Sequence, residues 1–287
     1  MKSVLITGAF GQLGKSCSEL LKNNFELILS GIHPSDSGIK LDVIEQKSVK
    51  TVLDKKSPDT IVNLAALTDV DQCEVDIENA YRINVDGVKN LCKHFTGHFI
   101  QISTDYVFDG KSGPYSENDK TNPISIYGKT KLEAENWLMN NHSKFTILRS
   151  NVIYSYSKNT KASFLKWIVE SLMNKKSIKV VDDQWNNPTW TNSLSEIIQL
   201  LIENEVYGLF HYADKDILNR FDFSQLIARV FELDGTLISP ISTADLSQKA
   251  PRPMKSGLLT EKIESELEIK PKSVETCLKE IRKQLSI

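Results

Sequence analysis

Three observations predict an α/β fold, with a doubly wound parallel sheet and a smaller C-terminal lobe. First, the β-branched run Val4-Leu5-Ile6-Thr7 passes at once into GAFGQLG (Gly8 to Gly14), and then into the helical pattern KSCSELLKNN. Strand, glycine turn and helix in that order open a Rossmann-type unit. Second, short apolar runs alternate with helical patterns through residues 1–150, which implies right-handed crossovers and a parallel sheet. Third, 287 residues exceed a typical single domain and suit one large α/β unit or two unequal ones. The expected division is a dinucleotide-binding domain over 1–150, rejoined by 190–213, and a substrate-binding lobe built from 151–189 and 214–287.

In the glycine turn, Gly8 permits the tight bend, Gly11 lets backbone approach a pyrophosphate, and Gly14 lets the helix pack on the strand. Phe10, Gln12 and Leu13 share that loop, whose helical end points amide N–H groups at an anion. Phe25–Leu29 reads as the second strand, closing at Ser30-Gly31. A carboxylate there would hold an adenosine ribose 2′-hydroxyl, and an Arg would hold a 2′-phosphate. Neither is present, and Asp36 lies in the loop beyond. The missing acid makes NADP the expected cofactor, with NAD left open.

Ile39–Val43 reads as a third strand, with Asp42 at the adenine end or capping the helix that follows. Thr60–Leu64 is a buried-type strand, and the small Ala65-Ala66 pair with Leu67 would lie along the cofactor. A helix over 76–93 carries Tyr81, Asn84, Val85, Val88 and Leu91 at helical spacing. Strands over 99–103 and 146–149 follow. Ligands of such sheets bind at the carboxyl ends of the strands, where Gly8, Ala65, Thr104 and Asn151 would gather. Beyond Asn151 come a helix over 164–175, a helix over 193–203, a strand from Gly208 and a helix over 221–233. The late loop KAPRPMKSG would close over the strand ends.

Hydrophobic residues at 40%, charged residues at 25% and a formal net charge of −2 describe an ordinary soluble protein. They give no reason to expect nucleic acid or an anionic membrane as partner. No apolar run approaches the roughly 20 residues that span a bilayer, and the N-terminus reads as a strand rather than a signal peptide. Cys17, Cys73, Cys92 and Cys277 form no C-x-x-C pair; buried thiols in a reducing cytoplasm are expected, and no metal.

The chemistry is expected in ISTDYVFDG and IYGKTKLEAE. Tyr127 and Lys131 stand four apart, so they share one helix face. An ammonium beside a phenol should lower the phenol's pKa towards neutrality and equip it for carbonyl–alcohol chemistry. Thr104 could offer a hydroxyl to the same reacting oxygen.

With GAFGQLG, NLAALTDVDQCE, AYRINVDGVKNL, STDYVFDG, PISIYGKTKLEAE, ILRSNVIYS, VVDDQWNNPT and RPMKSGLL in this order, the chain resembles the dTDP-4-dehydrorhamnose reductase family of extended short-chain dehydrogenase/reductases over nearly its full length. The resemblance implies catalysis by Thr104, Tyr127 and Lys131. It implies cofactor contacts at Gly8, Phe10, Gly11, Gln12, Leu13, Ser30, Asp42, Val43, Ala65, Ala66 and Leu67, with Tyr127 and Lys131 at the nicotinamide. Substrate contacts would fall to Thr104, Asp105, Tyr106, Asn151, Val152 and Arg252. The implied reaction is NAD(P)H-dependent reduction of the 4-keto group of a nucleotide-linked 6-deoxysugar, in polysaccharide biosynthesis, by a cytoplasmic enzyme that could be a homodimer. Leu67, Val152 and Gly257 depart from the family's Tyr, Trp and Arg, all on the substrate side, and imply an altered sugar or nucleotide. A dehydratase or epimerase would need further acid–base groups, and no His or Cys falls in the expected cleft segments. A non-catalytic NADP-binding regulatory subunit is the other alternative.

Overall fold

The computed structural model describes residues 1–34, 38–156 and 163–285; the expectation for Asp36 lies outside them. Seven parallel strands form the central sheet: β1 (Ser3–Thr7), β2 (Glu26–Gly31), β3 (Ile39–Lys40), β4 (Thr60–Asn63), β5 (His98–Thr104), β6 (Phe145–Ser150) and β7 (Gly208–His211). Their order is β7-β6-β5-β4-β1-β2-β3, and every pair is parallel. The chain is thus α/β with a Rossmann-like sheet wound in both directions from β1 and β4. No helix among the described residues is long and apolar enough to cross a membrane.

Helices cover both faces, as a sheet of continuous apolar strands requires. One face carries α1 (Gln12–Leu21), with α2 (Gln46–Lys56), α3 (Val70–Val75), α4 (Ile77–Tyr81), α5 (Gly87–Cys92) and α6 (Ile126–Asn141) elsewhere along the crossovers. Cys17 and Leu21 of α1 join Val4, Ile6 and Ile198 in one core. Val49, Val88 and Leu138 join Leu5, Ile61 and Phe99 in the other. All four cysteines are free and buried.

Three elements differ from the sequence expectation. The second strand runs over 26–31, because Phe25 turns its ring into the core instead of pairing. The third strand stops at Lys40, and Asp42 then turns the chain, its Oδ1 accepting from Ile44 N at 3.2 Å. Helix α2 is capped at Glu45 without a side-chain bond, so Asp42 is not its cap. The helix expected over 76–93 is interrupted by a π-helical turn over Arg82–Asp86. That turn carries Asn84, whose Oδ1 accepts from Leu67 N at 2.8 Å and whose Nδ2 donates to Thr130 Oγ1 at 3.0 Å. A widened turn that aims one side chain is a recurrent feature near functional sites.

A third core gathers Tyr154, Leu165, Ile168, Phe223, Ile227 and Leu278. It lies among α7 (Phe164–Met173), α9 (Arg220–Val230) and α11 (Val274–Leu285), while α8 (Thr191–Glu203) packs on the sheet against α1. Helix α10 (Glu261–Leu267), inside the stretch assigned to the lobe, instead reaches the sheet edge: Ile263 joins the first core and Lys262 Nζ bonds Leu209 O at 2.7 Å. The loop over 250–258 stitches the lobe to the sheet domain, Ala250 N donating to Asp71 Oδ1 at 2.9 Å and Lys255 N to Gly110 O at 2.8 Å.

Under the β5–β6 end, Glu135 of α6 is wholly buried and Arg149 of β6 is 3% exposed. They pair through Nη2–Oε2 at 2.7 Å and Nε–Oε1 at 3.0 Å. Arg149 Nη1 also donates to His211 Nε2 at 3.3 Å, which burial holds neutral, its pKa lowered to about 3. Removing one member of such a pair strands a buried charge. Glu135→Ala is therefore expected to cost about 3–5 kcal/mol, read as a lower urea midpoint at unchanged slope.

Candidate active site

The glycine turn joins β1 to α1 by a close backbone approach. Gly8 adopts φ 62°, a region only glycine enters freely, and a Cβ there would sit 2.9 Å from Leu64 C. Gly14 lies so near the turn that a Cβ would stand 2.5 Å from Gly8 O. Helix α1 starts from Gly11 with no side-chain cap and no acidic residue in its first turn. Its first N–H groups are therefore free to meet an anion. Gln12 Nε2 donates to Ile153 O at 2.9 Å, while its buried Oε1 has no partner among the described residues.

This turn forms one end of a cavity of about 990 Å³ that runs along the carboxyl ends of the strands. Phe10, Gly11 and Leu13 line it beside the turn, and Asp42 and Val43 line it beyond β3. Ala65, Ala66 and Leu67 line its middle after β4. Thr104, Asp105, Tyr106, Tyr127 and Lys131 line the far part, with Asn151 and Val152 opposite. Val152 sits at φ 44°, a strained backbone for a β-branched residue and of a kind concentrated at functional sites.

Thr104 ends β5, and its Oγ1 donates to Asp105 Oδ1 at 3.0 Å while accepting from Tyr106 N at 3.2 Å. Tyr127 opens α6 behind the Ser125 cap, whose Oγ accepts from Gly128 N at 3.2 Å. Its ring meets Tyr106 edge-on at 5.6 Å. Lys131, one turn along, is 3% exposed and donates from Nζ to Ile102 O at 2.6 Å.

The expected acidification of the phenol is not found. Burial pushes the Tyr127 phenol well above its ordinary pKa, and the nearby Asp105 carboxylate adds to the rise, opposed by the Thr104 hydroxyl. Burial also lowers the Lys131 ammonium to about 8, opposed by Glu135. Spacing on a helix face brought the two side chains together, but desolvation disfavours both charged forms.

Two further expectations need correction. Ser30 is buried and spends its hydroxyl on Ile6 O at 3.1 Å, so the neighbouring Gly31 lines the cavity instead. Arg252 does not line the cavity: it is held against Asp71 at 3.1 Å, and Pro253 and Ser256 of its loop face inward. Sequence reasoning also missed Arg220, which lines the cavity from the start of α9 with its guanidinium 5.2 Å over the Phe164 ring. His33 lines the cavity after β2, although no His was expected in the cleft. Gln184 and Asn186 line it from the lobe. The buried Ser103 Oγ, Ser150 Oγ, Asn151 Oδ1 and Asn186 Oδ1 around this cavity have no partner among the described residues.

The chain is 33% identical over 297 residues to a dTDP-4-dehydrorhamnose reductase of Aggregatibacter actinomycetemcomitans, covering 98% of this chain and 99% of that one. It is 29% identical to methionine adenosyltransferase 2 subunit beta of Danio rerio, covering 92% of this chain and 84% of that one. The crystal structure of dTDP-4-dehydrorhamnose reductase from Bacillus anthracis str. Ames in complex with NADP superposes with a TM-score of 0.92 at 29% identity, covering 99% of this chain and 100% of that one. The family model described as the RmlD substrate binding domain matches residues 1–287. The chain therefore belongs to the RmlD family, that of the dTDP-4-dehydrorhamnose reductases.

Proposed function

We propose that this protein reduces the 4-keto group of a nucleotide-linked 6-deoxyhexose at the expense of NADPH, in the biosynthesis of a deoxysugar for polysaccharide. The observation that carries this reading is the convergence of Thr104, Tyr127 and Lys131 on the cavity that the glycine turn opens. Geometry of that kind supports a proton donor next to a bound carbonyl. The names of the relatives that cover nearly the whole chain point to the same reaction.

The cavity's residues fit a dinucleotide. The uncapped start of α1 suits a diphosphate, and the partnerless Gln12 Oε1 and Ser150 Oγ suit a ligand rich in hydroxyls. At the end of β2 the described residues Gly31, Ile32 and His33 offer no carboxylate to a ribose 2′-hydroxyl, while an imidazole N–H can bond a 2′-phosphate. NADP is the fitting form, and NADPH should exceed NADH in kcat/KM; equal values would remove that preference.

The reduced nicotinamide, when bound, supplies the hydride. Tyr127 then gives its proton to the carbonyl oxygen. A phenol held protonated by burial is the donating form, and a developing alkoxide is basic enough to take that proton. Lys131 would hold the nicotinamide ribose and supply a positive charge near the departing proton, and the Thr104 hydroxyl would bond the carbonyl oxygen. Arg220, a cation at the lobe side of the cavity, suits the charged part of a nucleotide sugar.

Loss of NADPH absorbance on adding dTDP-4-dehydrorhamnose or a related 4-keto-6-deoxysugar nucleotide tests the reading. Tight NADPH binding without turnover over such a panel would favour a regulatory subunit instead. Tyr127→Phe should lower kcat by about 10²–10⁴ and leave cofactor affinity nearly unchanged; retention of most of the rate would remove Tyr127 as proton donor. Because Lys131 loses its charge as pH rises through about 8, NADPH affinity should fall across that range. In Lys131→Met it should be weaker and independent of pH, which titration calorimetry at several pH values would check.

A further inference from the structure

One wall of the cavity carries an amide whose direction its neighbours decide. Asn151 follows β6, is 3% exposed and lines the cavity. Its Nδ2 donates to Asn187 Oδ1 and to Ser256 O, each at 3.4 Å. Its buried Oδ1 has no partner among the described residues.

The oxygen and nitrogen of an amide trade places when the group is turned over, so its direction follows from its partners. Asn187 settles it. Its Nδ2 donates to Leu258 O at 3.2 Å, and its Oδ1 accepts from Leu258 N at 2.8 Å. A reversed Asn187 would set donor against donor and acceptor against acceptor. Its oxygen is therefore the atom that meets Asn151, and the carbonyl of Ser256 can only accept. Turning Asn151 over would aim its own oxygen at both. Oδ1 is thus an acceptor, with the donor end of the amide spent on the wall.

The backbone holds that acceptor in place. Val152, next in the chain, is left-handed at φ 44°, and its carbonyl accepts from Thr189 N at 3.1 Å. A buried carbonyl oxygen kept from any donor costs stability unless a ligand supplies one. The Oγ atoms of Ser103 and Ser150, also without partners among the described residues, belong to hydroxyls that turn to donate or accept and so select nothing.

Register places the acceptor beside the reacting carbon. Thr104 of β5 pairs with Ser150 of β6, and Asn151 is the next residue. Thr104 and Asn151 both line the cavity at the ends of adjacent strands, which run about 4.8 Å apart. With the ketone oxygen at Thr104 and Tyr127, the substituent within reach of Asn151 sits on a neighbouring ring carbon. In a 4-keto-6-deoxyhexose those carbons are C3, which bears a hydroxyl, and C5, which bears the methyl group and the ring oxygen. Only the C3 hydroxyl has a proton to donate.

We propose that Asn151 determines specificity by accepting a hydrogen bond from the C3 hydroxyl of the sugar, so that the substrates are 4-keto-6-deoxyhexoses with that hydroxyl free. The proposal rests on the reductase reading and deepens it to a substrate class. A sugar deoxygenated or O-methylated at C3 leaves the amide oxygen unmet and is rejected for that reason.

The test measures kcat/KM of the full-length protein with NADPH for dTDP-4-keto-6-deoxyglucose and its 3-deoxy counterpart, in the wild type and in Asn151→Leu. The wild type should prefer the 3-hydroxy sugar by about tenfold or more, and Asn151→Leu should bring that ratio close to one. Comparing ratios cancels the different reactivity of the two ketones, and a merely structural role would slow both sugars alike. A ratio unchanged in Asn151→Leu overturns the proposal, and so does a wild type without preference. If the variant does not fold, titration calorimetry on the wild type with NADP carries the test. The reduced 3-hydroxy product should then bind about tenfold or more tighter than its 3-deoxy counterpart, and equal affinities overturn the proposal. Weaker NADPH binding by Asn151→Leu at an unchanged sugar ratio also overturns it, and assigns the acceptor to the nicotinamide amide. Failure of the wild type to turn over any 4-keto-6-deoxysugar nucleotide overturns the reductase reading itself, a result distinct from turnover without preference.

Discussion

Strands β1 and β4 lie side by side at the centre of the sheet, and the chain leaves them in opposite directions. Every feature of the cavity follows from that reversal, because the connections must part and leave a crevice above the carboxyl ends. The side chain of Thr7 holds the seam. Its hydroxyl donates to Asn63 Oδ1 at 2.5 Å and accepts from Leu64 N and Ala65 N, each at 3.1 Å. One buried hydroxyl thereby satisfies the backbone where the two strands end, in the place where Gly8 must pass close to Leu64. Asn63 continues the line sideways by donating to Gln101 Oε1 on β5 at 2.8 Å. The strand ends that carry the glycine turn, the alanine pair and Thr104 are fixed to one another before any ligand arrives, which is the condition for a precisely placed site.

Much of this was legible in the sequence, for a physical reason. The order strand, glycine turn, helix is written in local periodicity and in residues whose backbone freedom is unusual, so Gly8 to Gly14 and the strand sequence could be read directly. Tyr127 and Lys131 share a face because helices repeat at 3.6 residues, and no tertiary information was needed. What spacing cannot report is desolvation. Two groups that would stabilise one another's charges in water are here both driven towards neutrality by the protein around them, and the expected acid phenol did not appear.

The other misreadings differ in cause. The turn at Asp42 is local, closed by Ile44 two residues on, whereas Asn84 of the π-helical interruption is bonded to Leu67 and Thr130, distant in sequence. Ser30 stands where a ribose contact was expected, yet its hydroxyl is captured by a neighbouring strand. Arg220 and Ser256 reach the cavity only through the lobe's docking on the sheet domain, and neither carries a local signature. The loop RPMKSG was singled out by its sequence, but spacing could not say which of its residues faces the cavity: Arg252 pairs with Asp71, and Ser256 meets Asp105.

Burial at the reacting end is arranged asymmetrically. Behind Lys131, Glu135 carries a charge of opposite sign but divides it with Arg149, whose guanidinium is itself shared with a neutral His211. The ammonium therefore receives only part of a counter-charge, enough to oppose desolvation without a direct ion pair that would anchor it away from the cavity. Asp105 has no such partner at contact distance among the described residues, which offer it hydroxyls and the more distant Arg220. A carboxylate met by a guanidinium fork would be held ionised, whereas one met by two hydroxyls remains free to accept a proton. The difference between the two acids is thus one of partners rather than of burial: Glu135 meets a guanidinium at two points, and Asp105 meets two hydroxyls.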